Sequence, residues 1–193
     1  MIYRESERLL YLINDIIRLS QIEEQEHVLS DKIDLLKTAH DVEEILRHKA
    51  DNREVTMTVE GEPVRIYGNQ SYITELFLNL MDNAIKYNRE GGSLKVTVGA
   101  EDGKAVAVFS DTGIGISDEH QSRIFERFYR VDKSRSKQTG GTGLGLSIVK
   151  HIVAYHSGEI QLESELEKGT TITVKLPFNE PETQRAEETA VTE

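Results

Sequence analysis

The segment GGTGLGLSIVK, Gly140 to Lys150, constrains this chain more than any other stretch of it. Four glycines run into an apolar, amphipathic run that begins near Leu144, so an open loop must give way at once to a helix. Glycine tolerates φ > 0 and lets the backbone approach a ligand closely. A helix start adds unpaired N–H groups and the positive end of the helix dipole, so such a junction can hold phosphates. Taken alone, plain turn and capping chemistry would explain the same residues. Three further blocks stand upstream: ELFLNLMDNAIKYN (Glu75 to Asn88), DTGIGI (Asp111 to Ile116) and RIFERFYRVD (Arg123 to Asp132).

A length of 193 residues allows one ordinary domain with a real core and a short appendage. With no cysteine, disulfides and thiolate metal sites are excluded. No apolar run approaches membrane-spanning length and the first residues do not resemble a signal peptide, so a soluble, cytoplasmic fragment is expected. The net charge of −11 argues against a general nucleic-acid binder, which needs a basic footprint. One basic island stands out, with Arg127, Arg130, Lys133, Arg135 and Lys137 close together. It suits a small anionic ligand; a solvated loop with incidental charge is the alternative.

Residues 3–26 read as a helix in which Leu9, Leu10, Leu12, Ile13, Ile16, Ile17 and Leu19 recur at helical spacing over about half the circumference. That face fits burial against other helices, in a dimeric bundle or on the chain's own domain. Further on, strands are expected at 33–36, 55–59, 64–66, 94–99, 105–109, 159–164 and 170–176, with a turn at Asp102-Gly103. Helices are expected at about 38–50, 70–86 and 143–156. The fold class is α+β: an α/β sandwich whose mixed sheet is covered on one face by helices, preceded by an N-terminal helix. After Pro177 little remains to bury, and a disordered acidic tail is expected over 179–193.

The four blocks, in this order and spacing, resemble the ATP-binding catalytic domain of sensor histidine kinases. That domain shares its nucleotide-binding fold with DNA gyrase B subunits, heat-shock chaperone ATPases and mismatch-repair ATPases. The likeness covers about residues 1–178. It implies that 1–30 is the second helix of a dimerisation and histidine-phosphotransfer hairpin and that 31–178 is the ATP-binding catalytic domain.

Asn79, Asn83 and Lys86 are spaced by four and three, so one helix face presents all three. Magnesium takes oxygen ligands and commonly shares them with substrate phosphates, so the Asn83 amide oxygen is chemically suitable. The resemblance makes Asn83 the principal magnesium ligand, Asn79 its assistant, Lys86 a phosphate contact and Tyr87 a wall against the nucleotide. Asp111 closes an apolar strand just before a sharp turn. A carboxylate only accepts hydrogen bonds, so it can select an exocyclic amino group. By resemblance it binds the adenine amine, with Gly113 and Gly115 giving the ring room and starting the lid, and Ile116 also counted as ATP-binding.

Residues 117–142 are polar and have the length of a functional lid. Phe125, Phe128 and Tyr129 are expected to anchor it in an apolar groove or simply to pack in the core, and the resemblance counts Phe128 and Tyr129 among the ATP-binding residues. Arg130 is the basic residue that resemblance sets nearest the phosphates. The resemblance implies that Gly141, Thr142, Gly143 and Gly145 wrap the phosphates from the far side, with Leu144 and Leu146 also counted as ATP-binding. No Lys follows the glycines as a P-loop requires.

Position 79 bears on the reaction. In related gyrase and chaperone ATPases a glutamate there activates water, whereas Asn79 cannot act as a general base. The resemblance therefore implies transfer of the γ-phosphoryl of ATP to a histidine of the dimerisation hairpin, for relay to a response regulator, with Asn79, Asn83, Lys86 and Arg130 as the catalytic group. The parent would be a membrane-anchored homodimer; this piece is compatible with a monomer.

No acceptor histidine is found. None precedes His27, and His40-Asp41 lacks the family's continuation; His48, His120, His151 and His156 read as surface or packing residues. The chain is thus expected to begin partway through the dimerisation domain and not to label itself. An ATP hydrolase or serine kinase of the same fold, or a nucleotide-binding interaction module, are the alternatives. At His156-Ser157-Gly158 the family usually has two glycines.

Overall fold

The computed structural model describes residues 29–131 and 142–178, together with Ile13, Ile17 and Ser20, which are helical. Ile13 and Ile17, one helical turn apart, are both about half exposed. The remainder of the expected N-terminal helix, the tail after Phe178 and the segment 132–141 lie outside the described residues.

Seven strands and four helices follow in the order β1 (Asp31–Asp34), α1 (Leu35–Asp51), β2 (Thr56–Gly61), β3 (Arg65–Gly68), α2 (Gln70–Lys86), β4 (Ser93–Glu101), β5 (Lys104–Asp111), α3 (Asp118–Gln121), α4 (Gly145–Tyr155), β6 (Glu159–Glu165) and β7 (Gly169–Pro177). Five strands form one sheet in the order β2-β4-β5-β7-β6, and β1 pairs with β3 in a small separate ribbon. The sheet is mixed. β2 runs parallel to β4, and the other pairs are antiparallel.

Alternation along the strands decides which face is covered. Leu94, Val96 and Val98 of β4, Ala105, Ala107 and Phe109 of β5, and Ile172, Val174 and Leu176 of β7 are all buried on one side. Onto them pack Leu76, Phe77, Leu80 and Ile85 of α2 and Ile148 and Ile152 of α4, joined into one core with Val42 and Leu46 of α1. Phe77 meets Phe109 edge-on at 5.1 Å, the arrangement favoured by the ring quadrupoles. The opposite face carries ion pairs such as Lys95–Glu60 and Lys104–Glu159. The architecture is therefore the expected two-layer sandwich with helices on one face.

Most element ends shift by a residue or two from the sequence expectation, and two further differences stand out. The first strand ends at Asp34, not Leu36, and α1 begins at once, because the Asp34 carboxylate accepts the Lys37 N–H at 3.1 Å and starts the helix three residues early. Within the expected lid the single turn α3 interrupts an otherwise irregular chain. The β4–β5 hairpin turns as expected at Asp102 and Gly103, both at positive φ.

Asn69 caps α2 by accepting the Tyr72 N–H, and its own N–H donates to Nε2 of His156 at 3.1 Å. The His156 ring is fully buried, and its Nδ1 donates to the Ile152 carbonyl at 2.8 Å. One imidazole thus ties the start of α2 to the end of α4, the two helices that carry the first and last sequence blocks. A side chain at Gly68 would strike that ring.

Candidate functional site

On α2, Asn79 and Asn83 share a face directed at the start of α4. The Asn79 amide NH2 donates to the Glu75 carbonyl at 2.9 Å, which leaves its oxygen directed away from its own helix backbone. A Cβ added at Gly145 would lie 2.7 Å from that oxygen and 3.9 Å from the Asn83 amide nitrogen. Glycine is needed there because the first turn of α4 seats directly on the two asparagines. Leu144, at the N-cap of α4, has no capping side chain, so the N–H groups of that turn remain available to an anion.

Lys86 and Tyr87 end α2. The Lys86 ammonium sits 5.2 Å from the centre of the Tyr87 ring, within cation–π range. Burial lowers the Lys86 pKa; Asp82 opposes that shift, while the neighbouring charges of Arg130, Lys49 and Arg53 add to it. Burial likewise raises the Tyr87 hydroxyl, against the pull of Arg130. Arg130 is therefore close enough to act electrostatically on both residues. Arg53, from the end of α1, donates to the Lys86 carbonyl at 2.8 Å, and Lys49 pairs with Asp82. The result is a cation-rich corner beside the two asparagines.

Asp111, the last residue of β5, stands at the other end. Its Oδ1 accepts the Gly113 N–H at 2.8 Å. Burial raises its pKa, while N–H donation from Gly113 and Thr170 pulls the other way. Gly113 has no room for a side chain: a Cβ would lie 2.5 Å from the Tyr87 carbonyl oxygen. That same carbonyl accepts the Ile114 N–H at 3.1 Å. Gly115 is at φ +66, with the Glu165 carbonyl 2.0 Å from where a Cβ would sit. Ile116 donates its N–H to the Ser164 hydroxyl at 2.9 Å, and Gln121 bridges the carbonyls of Ile116 and Ser164. The DTGIGI turn is thereby held between the end of α2 and the β6–β7 hairpin.

The lid expectation is only partly met. Phe128 is 55% exposed, not seated in an apolar groove. Tyr129 lies under the Arg123 guanidinium at 4.3 Å, with its hydroxyl 2.7 Å from Nδ1 of His120. Ile124 is the buried anchor of this segment, and Phe125 is half-buried. Phe128 donates its N–H to the Gly143 carbonyl at 2.9 Å, and Gly143 needs its φ of +79 to pass the Phe128 backbone. The Thr142 hydroxyl accepts the Leu144 N–H. Leu144 is fully buried and can meet a ligand only through its backbone, while Leu146 packs on the core and is partly exposed. Gly141 lies outside the described residues.

The structure thus brings Asn79 and Asn83 against Gly145, Arg130 against Gly143 and within reach of Lys86 and Tyr87, and the Tyr87 carbonyl against Gly113 and Ile114, in the same turn as Asp111, Gly115 and Ile116. Sequence reasoning missed Arg53, Gln121, Ser164 and Gly169. Gly169, at φ +131, lets β7 start against the Asp111 carbonyl, where a Cβ would lie 2.0 Å away. Its signal was the lone glycine that opens the last strand; the other three carry no local mark.

A five-stranded mixed sheet with helices on one face, an asparagine pair facing a glycine-opened helix and a carboxylate at a strand end define a nucleotide-binding class of domain. Residues 68–180 match the model of the histidine kinase-, DNA gyrase B- and HSP90-like ATPase family. The chain is 38% identical over 188 residues to the sensor-like histidine kinase SenX3 of Mycolicibacterium smegmatis, covering 95% of this chain and 48% of that protein. It is 37% identical over 178 residues to the sensor histidine kinase RppB of Synechocystis, covering 91% and 39%. Among solved structures, the mycobacterial sensor histidine kinase MprB superposes with a TM-score of 0.66 at 30% identity, covering 77% of this chain and 97% of that one. Full-length ShkA in complex with AMPPNP gives 0.76 at 27% identity, covering 90% and 37%. The chain belongs to the histidine kinase-, DNA gyrase B- and HSP90-like ATPase family, as a catalytic ATP-binding domain of the sensor histidine kinase kind. It spans less than half the length of these curated relatives.

Proposed function

We propose that this chain binds ATP with magnesium and delivers the γ-phosphoryl group to a histidine on a dimerisation domain, from which a response regulator takes it. The observation that carries this reading is Asn79. One turn before Asn83, in the position that faces the first turn of α4, stands an amide with its NH2 committed to the Glu75 carbonyl. An amide has no basic lone pair to take a proton from water, so hydrolysis is poorly served and an external nucleophile is favoured.

The donor set suits magnesium. Among the described residues no three His, Asp or Glu converge on one point. The oxygens at hand are the amides of Asn79 and Asn83, fitting for a cation that takes the rest of its ligands from phosphate and water. When bound, that ion neutralises charge on the phosphates. Lys86 and Arg130 add positive charge beside them, and the open first turn of α4 offers N–H donors. Asp111 reads the adenine amine, and Tyr87 flanks the nucleotide. In the transfer the bond from Pγ to the bridging oxygen breaks and a P–N bond to imidazole forms. ADP leaves, and the imidazole proton passes to a base outside this chain.

In the same reading, residues 1–30 end the dimerisation hairpin, 31–178 form the catalytic domain and 179–193 a tail, within a membrane-anchored homodimeric parent. Among the described residues no helix is long and apolar enough to cross a membrane. The test is incubation with γ-labelled Mg-ATP and a histidine-bearing dimerisation hairpin. Acid-labile label should appear on the hairpin and vanish with Asn83→Ala. Free phosphate without a labelled hairpin would show a hydrolase instead.

A further inference from the structure

The two ends of the candidate site are joined by a small polar cluster that neither sequence block contains whole. The β4–β5 ladder pairs Leu94 with Asp111, and the next pair in register is Ser93 with Thr112. There the Thr112 N–H donates to the Ser93 carbonyl at 3.1 Å. The reciprocal bond is diverted: the Ser93 N–H donates to the Thr112 hydroxyl at 2.8 Å instead of the Thr112 carbonyl. Ser93 keeps an acceptor while the chain at Thr112 is released from the ladder and turns into Gly113.

Asn88, the second residue after α2, closes the cluster. Its NH2 donates to the Ser93 carbonyl at 2.9 Å. Its oxygen accepts the Arg89 N–H at 3.0 Å and lies 3.4 Å from the Thr112 hydroxyl. Gly92 must be glycine for this to fit, since a Cβ there would meet the Asn88 oxygen at 2.2 Å and the Thr112 hydroxyl at 2.9 Å. The helix bearing Asn79, Asn83 and Lys86 is thus tied, within two residues of its end, to the residue that follows Asp111.

We propose that Thr112, with Asn88, is a positioning latch that sets the separation between the base-reading carboxylate and the phosphate-binding face of α2. It rests on reading Asp111 and Asn83 as the two ends of one ATP site. A ligand that spans both ends gains from having them held at the right spacing; a ligand that touches only one does not. Valine at 112 keeps the shape but removes the hydroxyl acceptor of the Ser93 N–H; where the free chain then loses the spacing that the ligand must restore, the cost to binding is up to about that of one hydrogen bond, or about tenfold in affinity.

The experiment compares the unaltered chain with Thr112→Val and Thr112→Ser, measuring Mg-ATP by calorimetry and adenosine by NMR titration. Thr112→Val should weaken Mg-ATP about tenfold while adenosine changes less than about twofold, and Thr112→Ser should restore Mg-ATP binding to within about twofold. Equal weakening of ATP and adenosine, or no rescue by serine, overturns the latch and leaves the ATP site standing. Failure of the unaltered chain to bind Mg-ATP overturns both. If Thr112→Val does not fold, Asn88→Ala cuts the tie from the helix side by removing the bond to the Ser93 carbonyl and the contact with the Thr112 hydroxyl, and should likewise weaken Mg-ATP more than adenosine; equal weakening of the two overturns the latch.

Discussion

The turn at residues 111–116 and the segment at 117–131 both border the site, yet they are held by different kinds of contact. In the turn, four consecutive residues are fixed: the N–H of Gly113 on the Asp111 carboxylate, that of Ile114 on the Tyr87 carbonyl and that of Ile116 on the Ser164 hydroxyl, with Gly115 wedged against the Glu165 carbonyl. The later segment has fewer such ties: Gln121 holds its start to the Ile116 and Ser164 carbonyls, Ile124 is buried and Phe128 donates its N–H to Gly143, but Arg123 and Glu126 meet as an exposed ion pair, Arg127 reaches His151 at the surface and Tyr129 is held by Arg123 and His120. Exposed ion pairs contribute little, about 0–1 kcal/mol each. Phe128 even sits at φ +63, a conformation costly for a residue with a Cβ. On the proposed reading, the turn that would read the base is built in advance, while the segment that would lie beside the phosphates relies in part on weaker contacts that can exchange when a triphosphate binds.

The sharpest way to break that contrast is Gly115→Ala. The substitution imposes left-handed strain and drives a Cβ to within 2.0 Å of the Glu165 carbonyl oxygen, so backbone must move. A loss of about 3 kcal/mol is expected from strain and clash together, read as a lower urea midpoint with loss of ATP binding. A loss below about 1 kcal/mol would show that the turn yields as easily as the later segment.

Much of this contrast was legible in the sequence, and the exception is instructive. The helix over 70–86, the strands of the sheet and the spacing of Asn79, Asn83 and Lys86 followed from periodicity, which the fold obeys because one helical face and one sheet face are buried. Gly143 and Gly145 followed from the need for close backbone approach at a helix start, whereas Gly113 and Gly115 stood out by resemblance alone, and the carbonyls they pass, those of Tyr87 and Glu165, carry no local mark. The settings of Phe128 and Tyr129 did not. An aromatic cluster in sequence suggests a groove, but Tyr129 finds its partners in Arg123 and His120, and Ile124 takes the core position. Arg53 was equally invisible, since its tie to Lys86 joins residues 33 positions apart.

Between the two regions stands Lys86, and pH can resolve which it answers to. Its pKa is lowered in the free protein, chiefly by burial. The charged form is the one the fold disfavours, so Lys86 costs stability below its folded pKa, and the cost fades as pH rises through that value. A bound triphosphate reverses the preference. Mg-ATP affinity should therefore decline as pH rises through a window that opens below the ordinary lysine value, with proton uptake on binding visible as a buffer-dependent heat. Lys86→Arg keeps its charge there and should hold its affinity level, up to about tenfold above the unaltered chain at the alkaline end. Parallel decline in both proteins would assign the effect to another group.

The smallest expected effect concerns Phe128. Its ring is more than half exposed and its φ is positive, so removing the side chain forfeits little burial and relieves backbone strain. Phe128→Gly should leave stability unchanged or raise it by up to about 1 kcal/mol, because glycine's greater freedom in the unfolded chain offsets part of the relief. The hydrogen bond from residue 128 to the Gly143 carbonyl is made by the backbone and survives the change. If Mg-ATP affinity nevertheless falls in this variant while stability holds, the strained and exposed ring is kept for what it meets once nucleotide is bound. A fall in stability beyond about 1 kcal/mol would instead mean that the ring packs in the free protein, and the contrast between a prebuilt turn and an exchangeable neighbour would lose its clearest mark.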